Sequence, residues 1–369
     1  MNRRQFLTLG AVGGGTFVLG GPGRIGSGTA GAQGAGVPTV DRLVMTNVVD
    51  NIYDIFAKAG KLDTITVQRT PLGPGGALLA EHGLAYHLES LRGSERKEVL
   101  LDFSLTELNL RNNYRTLKVD PARADALIIS HGHLDHYGAL PAVARAEQGG
   151  GFRPGVTLYA GGEDTFCQRF VMTPAGSRDM GRLDREELET RGLKVALARQ
   201  PTVVAGHAMT TGQIPRLADF EKPPAAARLM AGPMDSACSP THFGASQVQM
   251  KPGDLVPDLF MGEHATVYSV KDRGLVVITS CGHAGVINSV RQAQKATGIA
   301  KVHAVVGGFH LAPAPDEIVA KTVAGFREID PDYIIPGHCT GLNTIIAVHM
   351  AMPKKLVMPS TGTRVIFGA

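Results

Sequence analysis

The 369-residue sequence lacks a strong charge imbalance, a long hydrophobic run and a large number of cysteines. Its formal net charge is only +4 and its basic residues are scattered, which argues against a nucleic-acid-binding surface. No apolar segment is long enough to span a bilayer stably, so no membrane anchor is expected. The hydrophobic content of 43% over this length is sufficient to bury a large core.

The four cysteines do not decide the redox state of the chain. Cys167 and Cys238 could form a disulfide or remain two buried thiols, and the sequence favours neither. Cys281 and Cys339 each lie within two residues of a histidine that is a candidate metal ligand.

The first 36 residues predict an export signal followed by a linker. Arg3 and Arg4 precede Phe-Leu, as in a twin-arginine signal, and the Gly-rich apolar run that follows is too short to span a membrane. Ala30-Gly31-Ala32 fits a cleavage site, with cleavage after Ala32. We therefore expect a periplasmic or secreted protein that uses the export machinery, with residues 37–369 as one domain. The alternative is a disordered tail without function.

The segment Ser130 to Gly138, with the sequence SHGHLDHYG, predicts a metal site. It follows the apolar run Ala126-Leu127-Ile128-Ile129, which has the length of a buried strand. In extended backbone His131 and His133 project to the same side, and Asp135 and His136 can then turn the other way. One segment could thus supply ligands to two neighbouring metal ions.

Three later strands also end in a glycine-flanked histidine: His283, His310 and His338. Glycine allows the backbone to approach a crowded centre, so we predict that His283 and His338 are metal ligands. His310 is a candidate ligand or a catalytic residue. The remaining histidines lack this context and are expected to be structural, namely His82, His87, His207, His242, His264, His303 and His349.

Other segments give less specific predictions. The patterns of residues 52–59 and 164–171 suggest helices. The stretch 215–258 has little periodicity and is too long for an ordinary connection, which suggests a functional loop or lid. Within this stretch Arg216 could contact an anionic group of a substrate.

The segment SHGHLDHYGAL resembles the H-x-H-x-D-H signature of the metallo-β-lactamase fold superfamily. Further segments resemble its dihydropteroate-synthase-like branch, which includes ribofuranosylaminobenzene-phosphate-synthase-related proteins. These are Ala80–Leu84, Thr211–Arg216, Ser280–His283, Gly307–Leu311 and His338–Gly341. The resemblance implies an α+β fold, a four-layer αββα sandwich formed by a single domain with a long loop insertion. It also implies a metal centre at one edge.

The resemblance further implies which residues bind each ion. His131, His133 and His283 would hold one ion, and Asp135, His136 and His338 would hold the other. The aspartate that bridges both ions in the superfamily has no match here, since either Gly308-Phe309-His310 or Cys281 stands in its place. Of the usual F-D-T-G segment only Asp102 is retained.

These features predict a dinuclear metal-dependent hydrolase of a small, anionic phosphoester or related ester. A bridging water, acidified by two divalent ions, would attack the substrate. Zn²⁺ suits these ligands best, and Fe or Mn remain alternatives. Histidine at position 133, rather than glutamate, favours hydrolysis over oxygen chemistry. Asp135 and His310 are the predicted catalytic residues.

Two alternative functions remain open. One is a lactonase or a β-lactamase-like hydrolase of amides and lactones. The other is a non-catalytic metal- or ligand-binding protein with the same fold. Export argues against the synthesis of a cytosolic pterin, so the substrate of the branch is not transferred to this chain.

Overall fold

A computed structural model describes residues 36–73, 76–145, 151–243 and 250–368. Most of the predicted export signal therefore lies outside the described residues. Within them no helix is long and apolar enough to cross a membrane.

The described residues form two large sheets, one small sheet and seven α-helices. The strands are β1 (Thr39–Val40), β2 (Arg42–Val49), β3 (Gly60–Leu62), β4 (Ile65–Gln68), β5 (Ala85–Arg92), β6 (Glu95–Leu101), β7 (Ala126–Ile129), β8 (Thr157–Ala160), β9 (Arg169–Thr173), β10 (Gly176–Gly181), β11 (Lys194–Leu197), β12 (Thr202–Val204), β13 (Ala208–Thr210), β14 (Ala227–Met230), β15 (Leu255–Pro257), β16 (Thr266–Val270), β17 (Gly274–Ile278), β18 (Val302–Gly307), β19 (Tyr333–Pro336) and β20 (Arg364–Phe367). The helices are α1 (Glu107–Leu117), α2 (Leu134–Tyr137), α3 (Leu140–Ala144), α4 (Arg185–Thr190), α5 (Val286–Thr297), α6 (Asp316–Ile329) and α7 (Leu342–Ala351).

The first large sheet has nine strands in the order β11-β8-β7-β6-β5-β2-β20-β4-β3. The second has seven, in the order β12-β13-β16-β17-β18-β19, with β1 parallel to β16. The inner faces of the two sheets share one apolar core, which includes Met45 and Ile128 from the first sheet and Tyr268 and Ile278 from the second.

Each large sheet is covered by helices on its outer face. Leu110 and Tyr114 of α1 and Leu140 of α3 pack on the nine-stranded sheet. Helices α5, α6 and α7 cover the seven-stranded sheet through apolar residues such as Ile287 and Phe326. Because helix, sheet, sheet and helix follow one another, the predicted αββα sandwich is confirmed.

A third sheet, of four strands in the order β10-β9-β14-β15, lies within residues 169–257. The prediction of an irregular loop over residues 215–258 was therefore wrong in part, because β14 and β15 belong to this sheet. The predicted helix at residues 164–171 was also wrong. A 3-10 turn over Glu163–Phe166 precedes β9 instead.

The predicted helix over residues 52–59 does not form. Ile52, Ile55 and Phe56 are largely exposed, so no buried face is available to stabilise a helix there.

Cys167 and Cys238 form a disulfide whose partners are 71 residues apart in sequence. The bond joins Cys167, two residues before β9, to the segment after β14, beside the buried Leu229, Ala231 and Val256. Of the two alternatives that the sequence left open, the structure shows the disulfide.

The strands that carry the predicted ligands end at a common edge of the sandwich. Three non-glycine residues after β17, β18 and β19 have a left-handed backbone, Ser280 (φ 59°), His310 (φ 47°) and His338 (φ 50°). This conformation is costly for residues with a Cβ and persists only where the surrounding structure enforces it. The backbone is therefore strained where the candidate ligands are presented.

Candidate metal centre

The first group of candidate ligands contains His131, His133 and His283. Their ring nitrogens lie within 4.8 Å of one another, and the ring centroids are 4.7–4.8 Å apart. His131 and His133 follow β7 of the nine-stranded sheet, while His283 follows β17 of the other sheet. The structure brings together the three residues that the resemblance assigned to one ion.

The second group centres on the carboxylate of Asp135. Its Oδ2 lies 3.3 Å from Nε2 of His338, 3.7 Å from Nε2 of His136 and 3.4 Å from Nε2 of His82. Asp135, His136 and His338 are the residues assigned to the second ion.

His82, which the sequence assigned a structural role, lies beside the predicted set, within reach of Asp135 and His338. Its ring stacks on that of His338 at a centroid distance of 5.0 Å, and its side chain is 66% exposed. The signal was present in the sequence, because Ala80–Leu84 is one of the segments that resemble the family branch.

Several imidazole nitrogens in these groups are buried without a hydrogen-bond partner. They are Nε2 of His131, His136 and His338 and both ring nitrogens of His283. A buried polar atom without a partner is costly, so a missing ligand is the simplest physical explanation. The donors are imidazoles and one carboxylate, which together suit a divalent transition-metal ion.

The other ring nitrogen of two of these histidines is held by the protein. Asp102 is fully buried, and its Oδ2 lies 2.8 Å from Nδ1 of His136. The same oxygen accepts a 2.8 Å hydrogen bond from Oγ of Ser130. Ser130 Oγ is in turn 2.9 Å from Nδ1 of His131. With Nδ1 engaged, Nε2 of both rings is directed to the centre, as is common for metal-binding histidines.

The histidines of the first group are held in the neutral form that binds metals. Burial, together with the neighbouring imidazoles, lowers the pKa of His131 and of His283 well below the ordinary value. Burial also lowers the pKa of His133 to about 3, and the charge of Arg169 adds to this effect.

Asp135 and His136 form a charge pair within the second group. Burial would raise the pKa of Asp135, but the neighbouring His136 and His338 outweigh it and hold the pKa below its usual range. Burial would lower the pKa of His136, but Asp135 and Asp102 outweigh it and raise the pKa to about 9. The carboxylate of Asp135 therefore stays ionised.

Gly132 makes the histidine loop possible. A Cβ there would lie 2.1 Å from the carbonyl oxygen of Thr165 and 2.3 Å from the guanidinium of Arg169, which is too close for any side chain. Arg169 is buried and donates from Nε to Asp258 at 3.0 Å. The loop thus lies directly on the start of the four-stranded sheet.

The His283 loop is held on two sides by backbone hydrogen bonds. Glu263 accepts from the backbone N–H of His283 at 2.9 Å and from that of Ala284. Arg216 donates to the carbonyl oxygen of His283 at 2.9 Å and to that of Leu259 at 2.7 Å. Both contacts of Arg216 are to the backbone, which suits a positioning role better than the substrate contact predicted from the sequence.

Cys281, one of the two candidates for the place of the bridging aspartate, lies beside histidines of both groups. Its Sγ, a nitrogen of His131 and a nitrogen of His136 lie within 4.8 Å of one another. On its other side, Sγ of Cys281 is 3.2 Å from Sγ of Cys339. His310 lies beside both thiols, and its Nδ1 is buried without a hydrogen-bond partner.

Four histidines expected to be structural have ordinary hydrogen-bonding neighbours outside the two groups of candidate ligands. Nε2 of His87 is 3.0 Å from Glu98, Nδ1 of His207 is 2.9 Å from Ser90, Nε2 of His264 is 2.9 Å from the Ile129 carbonyl oxygen, and Nδ1 of His303 is 2.8 Å from Asp332.

The centre opens into a cavity of about 710 Å³. Its polar lining includes His133, Asp135, His283, His310 and His338. The four-stranded sheet contributes another part of the lining with three arginines and several apolar residues, namely Arg169, Phe170, Val171, Arg178, Met180, Ala227 and Arg228. Neither Arg178 nor Arg228 forms an ion pair with any of the described residues.

Comparison with known proteins agrees with this fold. Residues 92–215 match the model of the metallo-beta-lactamase superfamily. A solved metal-dependent hydrolase of the beta-lactamase superfamily superposes with a TM-score of 0.62 at 21% identity, over 87% of this chain and 98% of that one. Residues 92–215 thus match the superfamily that the resemblance predicted, and the solved structure shares the fold.

Two proteins from Methanocaldococcus jannaschii indicate the branch. The first is 7,8-dihydropterin-6-methyl-4-(beta-D-ribofuranosyl)-aminobenzene-5'-phosphate synthase, which is 26% identical over 291 residues, 76% of this chain and 90% of the relative. The second, an uncharacterized protein, is 26% identical over 269 residues, 72% of this chain and 86% of the relative. The chain is thus similar to the synthase-related branch that its motifs predicted.

The contact between Asp102 and His136 gives a prediction about metal affinity. The substitution Asp102→Ala removes the carboxylate that orients His136 and Ser130, so zinc affinity should fall about 10–100-fold. Competition with a chromophoric chelator measures this, with Asp63→Ala, in the exposed turn between β3 and β4, as the control. Equal affinity of the Asp102 variant and the wild-type protein would contradict the orienting role.

Proposed function

We propose that this protein is a metal-dependent hydrolase that uses two divalent ions to cleave an anionic ester, with a phosphodiester as the best candidate. Two observations together carry this proposal. Buried histidine nitrogens without hydrogen-bond partners lie at the cavity, and the cavity is also lined by two arginines that form no ion pair with the described residues. Proteins of this superfamily typically bind divalent metals, and the donors here fit such ions.

The residues that would hold the ions are His131, His133 and His283 for one and Asp135, His136 and His338 for the other, with His82 near the second. Zn²⁺ matches this mixture of imidazole and carboxylate best, and Fe or Mn would also be accommodated. When bound, such a pair of ions supplies a Lewis acid that acidifies water and offsets the charge developing on the substrate.

Asp135 has a second role in this proposal. Its carboxylate lines the cavity, and it stays ionised because His136 and His338 lie beside it. It can therefore accept a hydrogen bond from an attacking water and fix its orientation. The catalytic role of His310 stays a prediction at this point.

Two arginines support an anionic substrate. Arg178 on β10 and Arg228 on β14 line the cavity, and one nitrogen of Arg228 is fixed by the carbonyl oxygens of Ala225 and Ala227. A guanidinium held in this way retains N–H groups for a phosphate oxygen. The name of the curated relative also contains a phosphate, although 26% identity does not carry that substrate over to this chain.

The apolar residues of the cavity support the alternative of a lactone or amide substrate. Leu105, Leu134, Phe170 and Met180 could cover an uncharged chain, whereas an anionic group would contact the arginines. A non-catalytic binding protein is the alternative of another class, and it requires neither hydrolysis nor a complete ligand set.

Metal removal and a substrate panel test the proposal. Chelation should reduce hydrolysis of a nitrophenyl phosphodiester to the uncatalysed rate, and Zn²⁺ should restore it. The wild-type protein should bind at least two ions per chain. His131→Ala should bind fewer, while the exposed His349→Ala should match the wild type.

Two results would contradict parts of this proposal. Fewer than one ion per chain, unchanged by His131→Ala, would exclude the metal-dependent enzyme and favour a binding protein. Faster hydrolysis of a lactone or a chromogenic cephalosporin than of the phosphodiester would contradict the proposed substrate class but not the proposed metal centre.

The arginine wall gives a second prediction. Arg228→Ala should raise KM for the anionic phosphodiester roughly 10- to 100-fold, because a hydrogen bond to a charged group contributes about 1.5–3 kcal/mol. The kcat should change little, since Arg228 is remote from the metal ligands in sequence and does not belong to either group. Arg327→Ala, exposed on α6, is the matched control. An unchanged KM in the Arg228 variant would remove the arginine from substrate binding.

We also propose that the protein is exported and works in the periplasm or outside the cell. The twin arginines at positions 3 and 4 support this, as does the Cys167–Cys238 disulfide, because such bonds persist mainly in oxidising compartments.

Export can be tested separately from catalysis. The mature protein should begin after Ala32 and appear in the periplasmic or external fraction. Arg3→Lys combined with Arg4→Lys should retain it in the cytoplasm, and Arg24→Lys in the same segment should not. Cytoplasmic wild-type protein that keeps Met1 would refute the export signal.

A further inference from the structure

The described residues contain three groups of three metal donors that share no member. The first is His131, His133 and His283, and the second is His82, Asp135 and His338, which belongs with His136 to the second group described above. The third is Cys281, His310 and Cys339, whose Sγ and nitrogen atoms also lie within 4.8 Å of one another. The hydrolytic function proposed above uses the first two groups and has no use for the two thiols.

The two thiols are close enough to share one ion. Their sulfur atoms are 3.2 Å apart, and two sulfurs on a tetrahedral zinc ion, each at about 2.3 Å, lie about 3.8 Å apart. A small rotation of either side chain would therefore bring the two sulfur atoms to the separation that a shared zinc ion requires. Cys281, His310 and Cys339 all line the same cavity, which leaves room for a fourth ligand such as water.

The backbone around the thiols is shaped to leave space for them. A Cβ on Gly308 would lie 2.7 Å from Sγ of Cys339 and 2.4 Å from the carbonyl oxygen of Ser280, so only glycine fits there. Ser280 and His310, which flank or belong to the cluster, have the costly left-handed backbone. The buried Nδ1 of His310 has no hydrogen-bond partner, so the ring offers a free donor atom.

The charge of the donors favours an ion at this third position even next to two others. The first group consists of three imidazoles, and the second contains a single carboxylate, so both groups leave net positive charge on a divalent ion. Two thiolates would neutralise a divalent ion completely. Soft sulfur donors together with imidazole select zinc and similar thiophilic metals over magnesium or calcium.

We propose that Cys281, His310 and Cys339 form a third, sulfur-rich metal site that takes one thiophilic divalent ion beside the histidine–aspartate centre. Both thiols lose their protons to solvent as the ion binds, and the metal–sulfur bonds form without any change in oxidation state. His310 then acts as a ligand, in place of the proton-donor role that its sequence suggested.

Cobalt titration of the metal-free full chain tests the site directly. Co²⁺ bound by thiolate gives an intense sulfur-to-cobalt charge-transfer absorption in the near ultraviolet, whereas Co²⁺ bound only by histidine and carboxylate does not. The wild-type protein should bind three ions per chain and show this absorption. Cys339→Ser and His310→Ala should each bind two ions, and Cys339→Ser should lose most of the absorption.

Controls separate this outcome from misfolding and from the hydrolase proposal. Cys167→Ser combined with Cys238→Ser removes the other sulfur atoms and should keep three ions and the full absorption. A variant that fails to fold would lose all its ions rather than one. The readout requires no substrate, so failure of every hydrolysis assay would leave it unaffected.

Three results would overturn the third site. One is saturation of the wild type at two ions without the sulfur absorption. Another is full absorption in Cys339→Ser, which would make Cys281 a ligand of the dinuclear centre alone. The last is the absence of free thiols in metal-loaded protein denatured without reductant, which would show that Cys281 and Cys339 form a disulfide.

Discussion

The buried carboxylate of Asp102 is the interaction on which the centre depends. It follows β6 and binds the backbone N–H and the hydroxyl of Ser130, which follows the neighbouring β7, and it contacts the ring of His136. A single charged group thus connects two strand ends and fixes two imidazoles. Because the carboxylate is fully buried, it is stable there only while these partners surround it. The sequence around it resembles the family only at this residue, which fits its physical role.

The four-stranded sheet adds a wall to the cavity at the candidate metal centre. Its strand β9 begins at Arg169, which contacts the histidine loop, and the strands on either side of β9, β10 and β14, place Arg178 and Arg228 at the cavity. The disulfide anchors this sheet at Cys167, two residues from the contact with Gly132. The candidate ligands and this wall of the cavity are therefore connected through Arg169 and Gly132, so in the proposed hydrolase the wall would influence substrate preference.

Local sequence signals predicted the centre well and the cavity wall poorly. His131, His283 and His338 could be identified because each follows an apolar strand and is next to glycine, which are properties of adjacent residues. His82 could not be identified in this way, because it follows no strand and only its neighbours in space place it beside the second group. The strands β14 and β15 are short and pair with β9 and each other across long sequence separations. Pairing of that kind leaves no periodic pattern in residues 215–258.

The two groups of candidate ligands have a mechanical consequence for the molecule as a whole. In each group, some donors follow strands of the nine-stranded sheet and another follows a strand of the seven-stranded sheet. An ion held by His131 and His283, or by Asp135 and His338, is thus a cross-link between the two halves of the sandwich. The halves cannot separate without releasing it, so the free energy of unfolding rises with the concentration of free metal. Metal bound at the candidate centre would therefore also stabilise the association of the two sheets.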